Sequence, residues 1–119
     1  MENTKRYDLE ERTLKFAKDI REFIFKINKN FITLEDSKQL IRSSGSVGAN
    51  YIEANEALSK KDFIMRIKIC RKEVKESSYW LKLINSSEFQ VDKTSLERES
   101  QELTNIFGAI LRKSESTPT

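Results

Sequence analysis

The chain has 119 residues and a formal net charge of +3, with 34% charged and 37% hydrophobic residues, three glycines and one proline. So few turn-forming residues argue against a β-rich fold, and apolar side chains that recur at a helical period indicate a single all-α domain. Because the chain has no histidine and one cysteine, Cys70, we expect no intramolecular disulfide, no metal or other cofactor, and no histidine-based catalysis.

The first predicted helix covers about residues 8–28, and Asp8 with Glu11 has the spacing of a capping box. One of its faces carries apolar residues at a helical period, so we expect that face to pack in the core. Three further apolar side chains lie together on the opposite side, where a simple bundle leaves them exposed: Tyr7, Leu14 and Phe25. We therefore expect this second strip to contact another copy of the chain.

The second predicted helix covers about residues 34–58, after a cap formed by Thr33 with Asp36. Gly45 and Gly48 lie in it among several serines, and glycine in a helix interior costs about 1 kcal/mol. Close packing against other helices is expected to offset that cost. One face should lie in the core: Leu40, Val47, Tyr51, Ile52 and Leu58.

A row of polar side chains follows the other face of this helix. Arg42, Ser46, Asn50 and Glu53 are four, four and three residues apart, so neighbours in the row can touch. A buried charge must be paired, and we expect a structural network in which Arg42 pairs with Glu53 or with Glu76. A solvated polar face is the alternative.

The third predicted helix covers about residues 60–85 and starts at a cap formed by Ser59 with Asp62. Seven residues at alternating spacings of four and three predict a helix-bundle seam: Phe63, Ile67, Cys70, Val74, Ser77, Leu81 and Ile84. A second apolar strip runs along the far side and adds to the expected contacts between copies: Met65, Ile69, Trp80 and Leu83.

A basic sector lies between these two strips. Residues 59–85 carry eight basic and three acidic side chains, a net charge of +5, which exceeds that of the whole chain. Cations grouped on one helix sector are typical of a surface that binds a phosphate backbone. The candidate nucleic-acid-binding residues are Lys68, Arg71, Lys72, Lys75 and Lys82. The alternative is that these lysines only keep the bundle in solution.

The fourth predicted helix covers about residues 94–113, with Thr94 and Glu97 at its start, and residues 114–119 are expected to be frayed. Short connections make neighbouring helices antiparallel, so the sequence predicts an up-and-down four-helix bundle.

Several classes of protein are excluded by missing patterns. No phosphate-binding glycine loop, nucleophile elbow or Glu-x-x-His pair occurs, so we expect no enzyme. No run of about 18 apolar residues is present, and the start MENTKRYDLEER does not resemble a signal peptide. We expect a cytoplasmic protein that spans no membrane.

The central segment resembles the signature of a known family, the bacterial four-helix bundle proteins called 23S rRNA intervening-sequence proteins. The segment reads QLIRSSGSVGANYIEANEALSKKDFIMRIKICRKEVKESSYWLKLI. The residues that match the signature are Gln39, Leu40, Arg42, Ser46, Val47, Asn50, Glu53, Ser59, Asp62, Phe63 and Glu76. Ala54 stands where the family usually has glycine, and only the first carboxylate of a later Glu-Leu-Glu motif is kept, at Glu76.

The resemblance implies a homopentameric barrel, and relatives include accessory proteins of diversity-generating retroelements that bind nucleic acid and a reverse transcriptase. Our first functional hypothesis is therefore a non-catalytic, self-associating accessory protein that binds RNA or DNA through its basic sector. The alternative is a protein–protein interaction scaffold without nucleic-acid binding. A third hypothesis, a regulator of the toxin–antitoxin or stress type, has no supporting residue.

Overall fold

Four helices account for nearly all of the structure, a computed structural model that describes residues 5–116, with side chains from Leu9 onward. They are α1 (Lys5–Lys26), α2 (Phe31–Asn55), α3 (Lys60–Leu83) and α4 (Gln90–Ser116). One turn of 3₁₀-helix, Ser87–Phe89, precedes α4, and residues 5–116 contain no strand. The all-α prediction with four helices is confirmed.

Each helix packs against the next in the chain, and α1 also meets α4, which closes the bundle. The α1–α2 contacts show an antiparallel register. Asn55 donates to Glu10 at one end of this pair, and Arg21 donates to the Ile41 carbonyl further along. The result is an up-and-down bundle of 50 × 31 × 20 Å.

The predicted starts of three helices are wrong. Asn30, and not Thr33, caps α2, because the Asn30 side chain accepts a hydrogen bond from the Thr33 backbone N–H at 2.9 Å. Asparagine and threonine both cap helices well. Residue type alone therefore does not decide which of the two caps α2. The 3₁₀ turn leads directly into α4, which therefore begins before Thr94, and α1 already includes Asp8. The predicted Ser59 cap of α3 is present, because Ser59 Oγ accepts a hydrogen bond from the Asp62 backbone N–H at 3.1 Å.

The predicted helix ends also differ. The first three helices stop at Lys26, Asn55 and Leu83, two or three residues before the predicted positions. The last helix continues to Ser116, so the prediction of a frayed end is wrong for residues 114–116. Residues 117–119 lie outside the described range.

Two lysines that do not stand out in the sequence pattern close the C-terminal ends of α1 and α3. Lys29 Nζ donates to the carbonyls of Ile24 and Ile27 at 2.6 and 2.9 Å, and Lys93 Nζ donates to the Ile84 carbonyl at 2.7 Å. The last carbonyls of a helix have no N–H partner within it, and a cation is favoured at that negative end of the helix dipole.

The core combines the seam residues of all four helices. It consists of Leu9, Phe16, Ile20, Phe23, Ile24, Ile27, Leu40, Val47, Tyr51, Ala54, Ile67, Cys70, Val74, Leu81, Ile84, Leu96, Leu103 and Phe107. The prediction that Ile52 and Leu58 belong to it is wrong, since they are 54% and 98% exposed. Leu58 follows the end of α2, so the face on which it was placed does not continue to it.

Small residues set how closely the helices approach. Ser43 and Ser77 are fully buried between α2 and α3, and their hydroxyl oxygens are 2.8 Å apart. Between α1 and α2, a Cβ on Gly48 would lie 3.0 Å from Thr13 Oγ1, so the absence of a side chain permits this contact. The expected close packing around α2 is present.

Ion pairs connect α1 to α4, the neighbours with the least backbone contact. Arg12 binds Glu99 through two hydrogen bonds of 2.7 and 3.1 Å, and it also reaches Glu102 at 3.1 Å. These bonds raise the pKa of Arg12, and the hydrogen bond to Glu99 is the largest cause. Lys26 pairs with Asp92 at 2.9 Å further along the same seam.

Candidate functional site

A groove of about 730 Å³ runs along α3 where it meets the end of α4. We call it the basic groove; it is lined by Lys68, Arg71, Lys72, Lys75, Glu76, Tyr79, Trp80 and Leu111. The structure thus brings together four of the five predicted nucleic-acid-binding residues. The fifth, Lys82, is not among the lining residues and donates to Ser78 at 3.2 Å.

Most of the cations in the basic groove have no acidic partner. Lys72, Lys75 and Arg71 make no hydrogen bond or ion pair with any residue that the structure describes. Lys68 pairs with Glu115 at 3.4 Å, and the Glu76 carboxylate is 3.2 Å from Arg42. Positive charge that is not neutralised within the protein is available to attract an anion.

Two aromatic rings belong to the same groove. Tyr79 is 58% exposed, and its ring meets that of Trp80 at 5.2 Å with an interplanar angle of 73°. Trp80 is half-buried and packs against the core. Trp80 therefore supports the Tyr79 ring from the side of the core.

A second groove, of about 530 Å³, adjoins the basic groove at Lys68. It lies between the start of α3 and the end of α4 and is lined by Lys60, Lys61, Ile64, Met65, Lys68, Ser114 and Glu115. The two grooves follow α3 from Lys60 to Trp80, about 30 Å at 1.5 Å per residue.

The predicted polar network is only partly present within one copy of the chain. Arg42 pairs with Glu76, one of its two expected partners. Asn50 accepts from Arg66 at 2.9 Å and donates to the Ser46 carbonyl. The expected Arg42–Glu53 pair is not formed, because Glu53 is exposed and its carboxylate contacts no cation among residues 9–116.

Sequence reasoning missed a buried acid beside Arg42. Glu73 is 7% exposed, and its Oε1 lies 3.6 Å from Arg42 Nη1. Because a buried carboxylate is costly without a counter-charge, Arg42 bridges Glu73 and Glu76 across α2 and α3. The signal was available: Glu73 is three residues after Cys70 and four before Ser77, and both of these belong to the predicted seam.

The predicted contacts between copies fall into three groups. Leu14, Phe25, Met65 and Leu83 are exposed, from 44% for Met65 to 87% for Phe25. Ile69 and Trp80 are half-buried within the bundle. The side chain of Tyr7 lies outside the described residues.

A third groove, of about 510 Å³, separates α1 from α2 and is mostly apolar. We call it the apolar groove; its lining includes Leu14, Ala17, Gly45, Gly48, Ala49 and Ile52. Leu14 and Ile52 are more than half exposed there. The two glycines are covered by side chains of α1, since a Cβ on Gly45 would lie 3.2 Å from Arg21 Nη2 and one on Gly48 would lie 3.0 Å from Thr13 Oγ1.

Two kinds of site are not found among the described residues. Within residues 5–116, no three His, Cys, Asp or Glu side chains are grouped so that they could hold a metal ion. No helix in that range is both long and apolar enough to cross a bilayer.

Comparison with known proteins identifies the family. The family model of the 23S rRNA-intervening sequence protein matches residues 5–110, which is most of the chain. The chain belongs to the 23S rRNA-intervening sequence protein family. The resemblance seen in the central segment is thereby confirmed.

A crystal structure supports the membership in this family. It is that of a protein of unknown function from the S23 ribosomal protein family of Bacteroides thetaiotaomicron. The two chains are 34% identical, the match covers 86% of this chain and 96% of the other, and the TM-score is 0.74. A comparison with curated proteins finds no match.

Proposed function

We propose that this 23S rRNA-intervening sequence family member is a non-catalytic accessory protein that binds the phosphate backbone of RNA or DNA through its basic groove. One observation carries the proposal: Arg71, Lys72 and Lys75 line one groove and have no partner within the described residues. A phosphate backbone supplies the missing negative charge, and its condensed counterions are released when the cations bind.

The acidic residues near the groove leave its charge largely intact. Glu76 is held by Arg42 at 3.2 Å, on the side of the groove that faces α2. Glu115 pairs with Lys68, but both side chains are about half exposed, and such surface ion pairs contribute about 0–1 kcal/mol. A phosphate can therefore replace Glu115 at little cost.

The basic groove is suited to hold a backbone and not to read a base sequence. Lysine and arginine side chains on one helix face fix the position of phosphates, whereas sequence is read from base edges in a groove. Binding should therefore depend strongly on salt and weakly on sequence.

Binding of labelled RNA and DNA at low salt tests the proposal. We expect the wild type to bind and the combined Lys68→Glu, Lys72→Glu and Lys75→Glu variant to lose binding while its helical content is unchanged. The control variant Lys15→Glu, Lys38→Glu and Arg98→Glu changes the net charge equally at exposed positions outside the groove. Equal losses in both variants would mean that overall charge, and not the groove, holds the nucleic acid.

We further propose that copies of the chain associate through the apolar groove, as a pentamer according to the family resemblance. Exposed apolar area of this kind usually marks an interface, and Leu14, Ala49 and Ile52 supply it here. Five copies would carry five basic grooves, which increases the field that an approaching polyanion meets.

A reverse transcriptase is the protein partner that the same resemblance suggests. If no nucleic acid binds at micromolar protein, the interaction scaffold becomes the better account.

A further inference from the structure

Two guanidinium groups converge on α4 at a point where the helix has no side chain. A Cβ on Gly108 would lie 3.4 Å from Arg71 Nε and 3.4 Å from Arg112 Nη1. The two nitrogens are therefore within twice that distance of each other. Arg71 comes from α3 and lines the basic groove, whereas Arg112 comes from α4 and lies at the edge of the groove, next to the lining residue Leu111.

No residue that the structure describes neutralises this pair of like charges. Neither Arg71 nor Arg112 has a hydrogen bond or ion pair with another described residue. Arg71 is half-buried, and its Nε is shielded from water without a partner. Repulsion between like charges is screened less at a partly buried position. A phosphate group between the two guanidiniums would remove the repulsion and accept several hydrogen bonds.

An aromatic ring lies further along the same face of α3. Residues 71, 75 and 79 are four residues apart, so they share one side of the helix, and Tyr79 is about 12 Å from Arg71 along the axis at 1.5 Å per residue. The Tyr79 ring is 58% exposed and is held from one side by Trp80, which packs on the core. Holding an exposed ring in place lowers the entropy cost of stacking a ligand on it.

We infer that the ligand of the basic groove is single-stranded nucleic acid, with a phosphate bound between Arg71 and Arg112 and an unpaired base stacked on Tyr79. This inference rests on the proposed function. It adds that the nucleic acid is single-stranded, and it names a contact to a phosphate and a contact to a base. A duplex offers the same phosphates, but its bases are stacked on each other and cannot stack on Tyr79. Lys72 and Lys75 lie between the two contacts and would hold the intervening backbone.

The test compares an unstructured single strand with a blunt-ended, loop-free duplex of equal phosphate number, as RNA and as DNA, by fluorescence anisotropy at low salt. The variants are Tyr79→Ala, Tyr79→Phe, Arg112→Gln and, as a matched control on the same helix, Arg98→Gln. Arg98 is exposed and about 20 Å away along α4 at 1.5 Å per residue. Trp80 is the only tryptophan in the chain, so its fluorescence reports directly on occupancy of the groove.

We expect Tyr79→Ala to weaken binding of the single strand about tenfold to a hundredfold and to leave duplex binding unchanged. Tyr79→Phe keeps the ring and should bind like the wild type. Arg112→Gln should weaken both ligands more than Arg98→Gln does, because it removes one of the two groups that hold the phosphate.

Different failures have different meanings. Equal affinity of the wild type for both ligands, with no effect of Tyr79→Ala, would overturn the single-strand inference while the proposed function stands. Equal effects of Arg112→Gln and Arg98→Gln would overturn the phosphate contact over Gly108. Absence of binding to either ligand would overturn the proposed function together with this inference.

Discussion

Cys70 shows how the surroundings of one residue decide its chemistry. It is fully buried between α2 and α3, and its Sγ–H donates to the Val47 carbonyl at 3.4 Å. Desolvation raises the pKa of the thiol from 9.0 to about 12, because burial disfavours the charged thiolate. The folded-state pKa lies above the unfolded one. The shift therefore contributes stability that is complete below about pH 9 and is lost as the pH rises toward 12.

We predict that Cys70 does not react with a thiol reagent in the native protein at pH 9.0, where an exposed thiol would be half ionised. Only the thiolate is nucleophilic, and here it is both inaccessible and disfavoured. Labelling followed by mass spectrometry should show modification only once denaturant unfolds the chain. Rapid, complete labelling in native buffer would show that Cys70 is reachable and reactive.

At the scale of the helices, the α2–α3 interface depends on small polar residues at positions where a bundle usually has larger apolar ones. Ser77 Oγ donates to the Glu73 carbonyl at 2.9 Å. Ser43 Oγ has the Leu40 carbonyl at 3.4 Å, and either serine can supply the proton for the 2.8 Å hydrogen bond between the two hydroxyls. The two helices therefore lie too close for a large side chain at either serine.

We predict that Ser77→Leu lowers the free energy of unfolding by about 1–3 kcal/mol, the usual cost of overpacking a filled core. The seam spacing alone would suggest the opposite, because leucine suits such a position in a bundle. Urea denaturation measures the change. Ser77→Ala is the control: it removes the same two hydrogen bonds, worth about 1 kcal/mol each, without the overpacking, so the leucine should be the less stable variant. A stabilising leucine would contradict the close packing.

The sequence was enough to predict the helices, but it did not determine which side chains pair with each other. Apolar periodicity and short connections were enough for the four helices and their order, since both act locally. The start of α2 was missed because Asn30 and Thr33 are competing caps. Arg42 was expected to pair with Glu53 or Glu76, and only the register of α2 on α3 selects Glu76 and adds Glu73. Likewise, the approach of Arg112 to Arg71 over Gly108 requires two helices in place.

For the whole molecule, the apolar groove accounts for the proposed association of copies. Leu14 and Ile52 are exposed on its two sides and make no contribution to the core. We predict that Leu14→Glu with Ile52→Glu prevents the proposed association without unfolding the bundle, since each carboxylate can remain in water in the monomer. Size-exclusion chromatography with light scattering measures the mass.

Leu58→Glu with Val91→Glu is the matched control for this experiment, because Leu58 and Val91 are 98% and 83% exposed and neither lines the apolar groove. The control should assemble like the wild type. A wild type that is already monomeric at micromolar concentration would contradict the proposed association, and a Leu14→Glu, Ile52→Glu variant that still assembles would place the interface elsewhere.

The central claim is that cations of the basic groove hold a phosphate backbone, and the salt dependence of binding tests it most directly. Each phosphate contact contributes about −0.7 to the slope of log affinity against log salt concentration for a single strand. With three to four groove cations engaged, we predict a slope of about −2 to −3. The Lys72→Gln, Lys75→Gln double variant should reduce its magnitude by about 1.4. A slope near zero, or one that this variant leaves unchanged, would contradict the account.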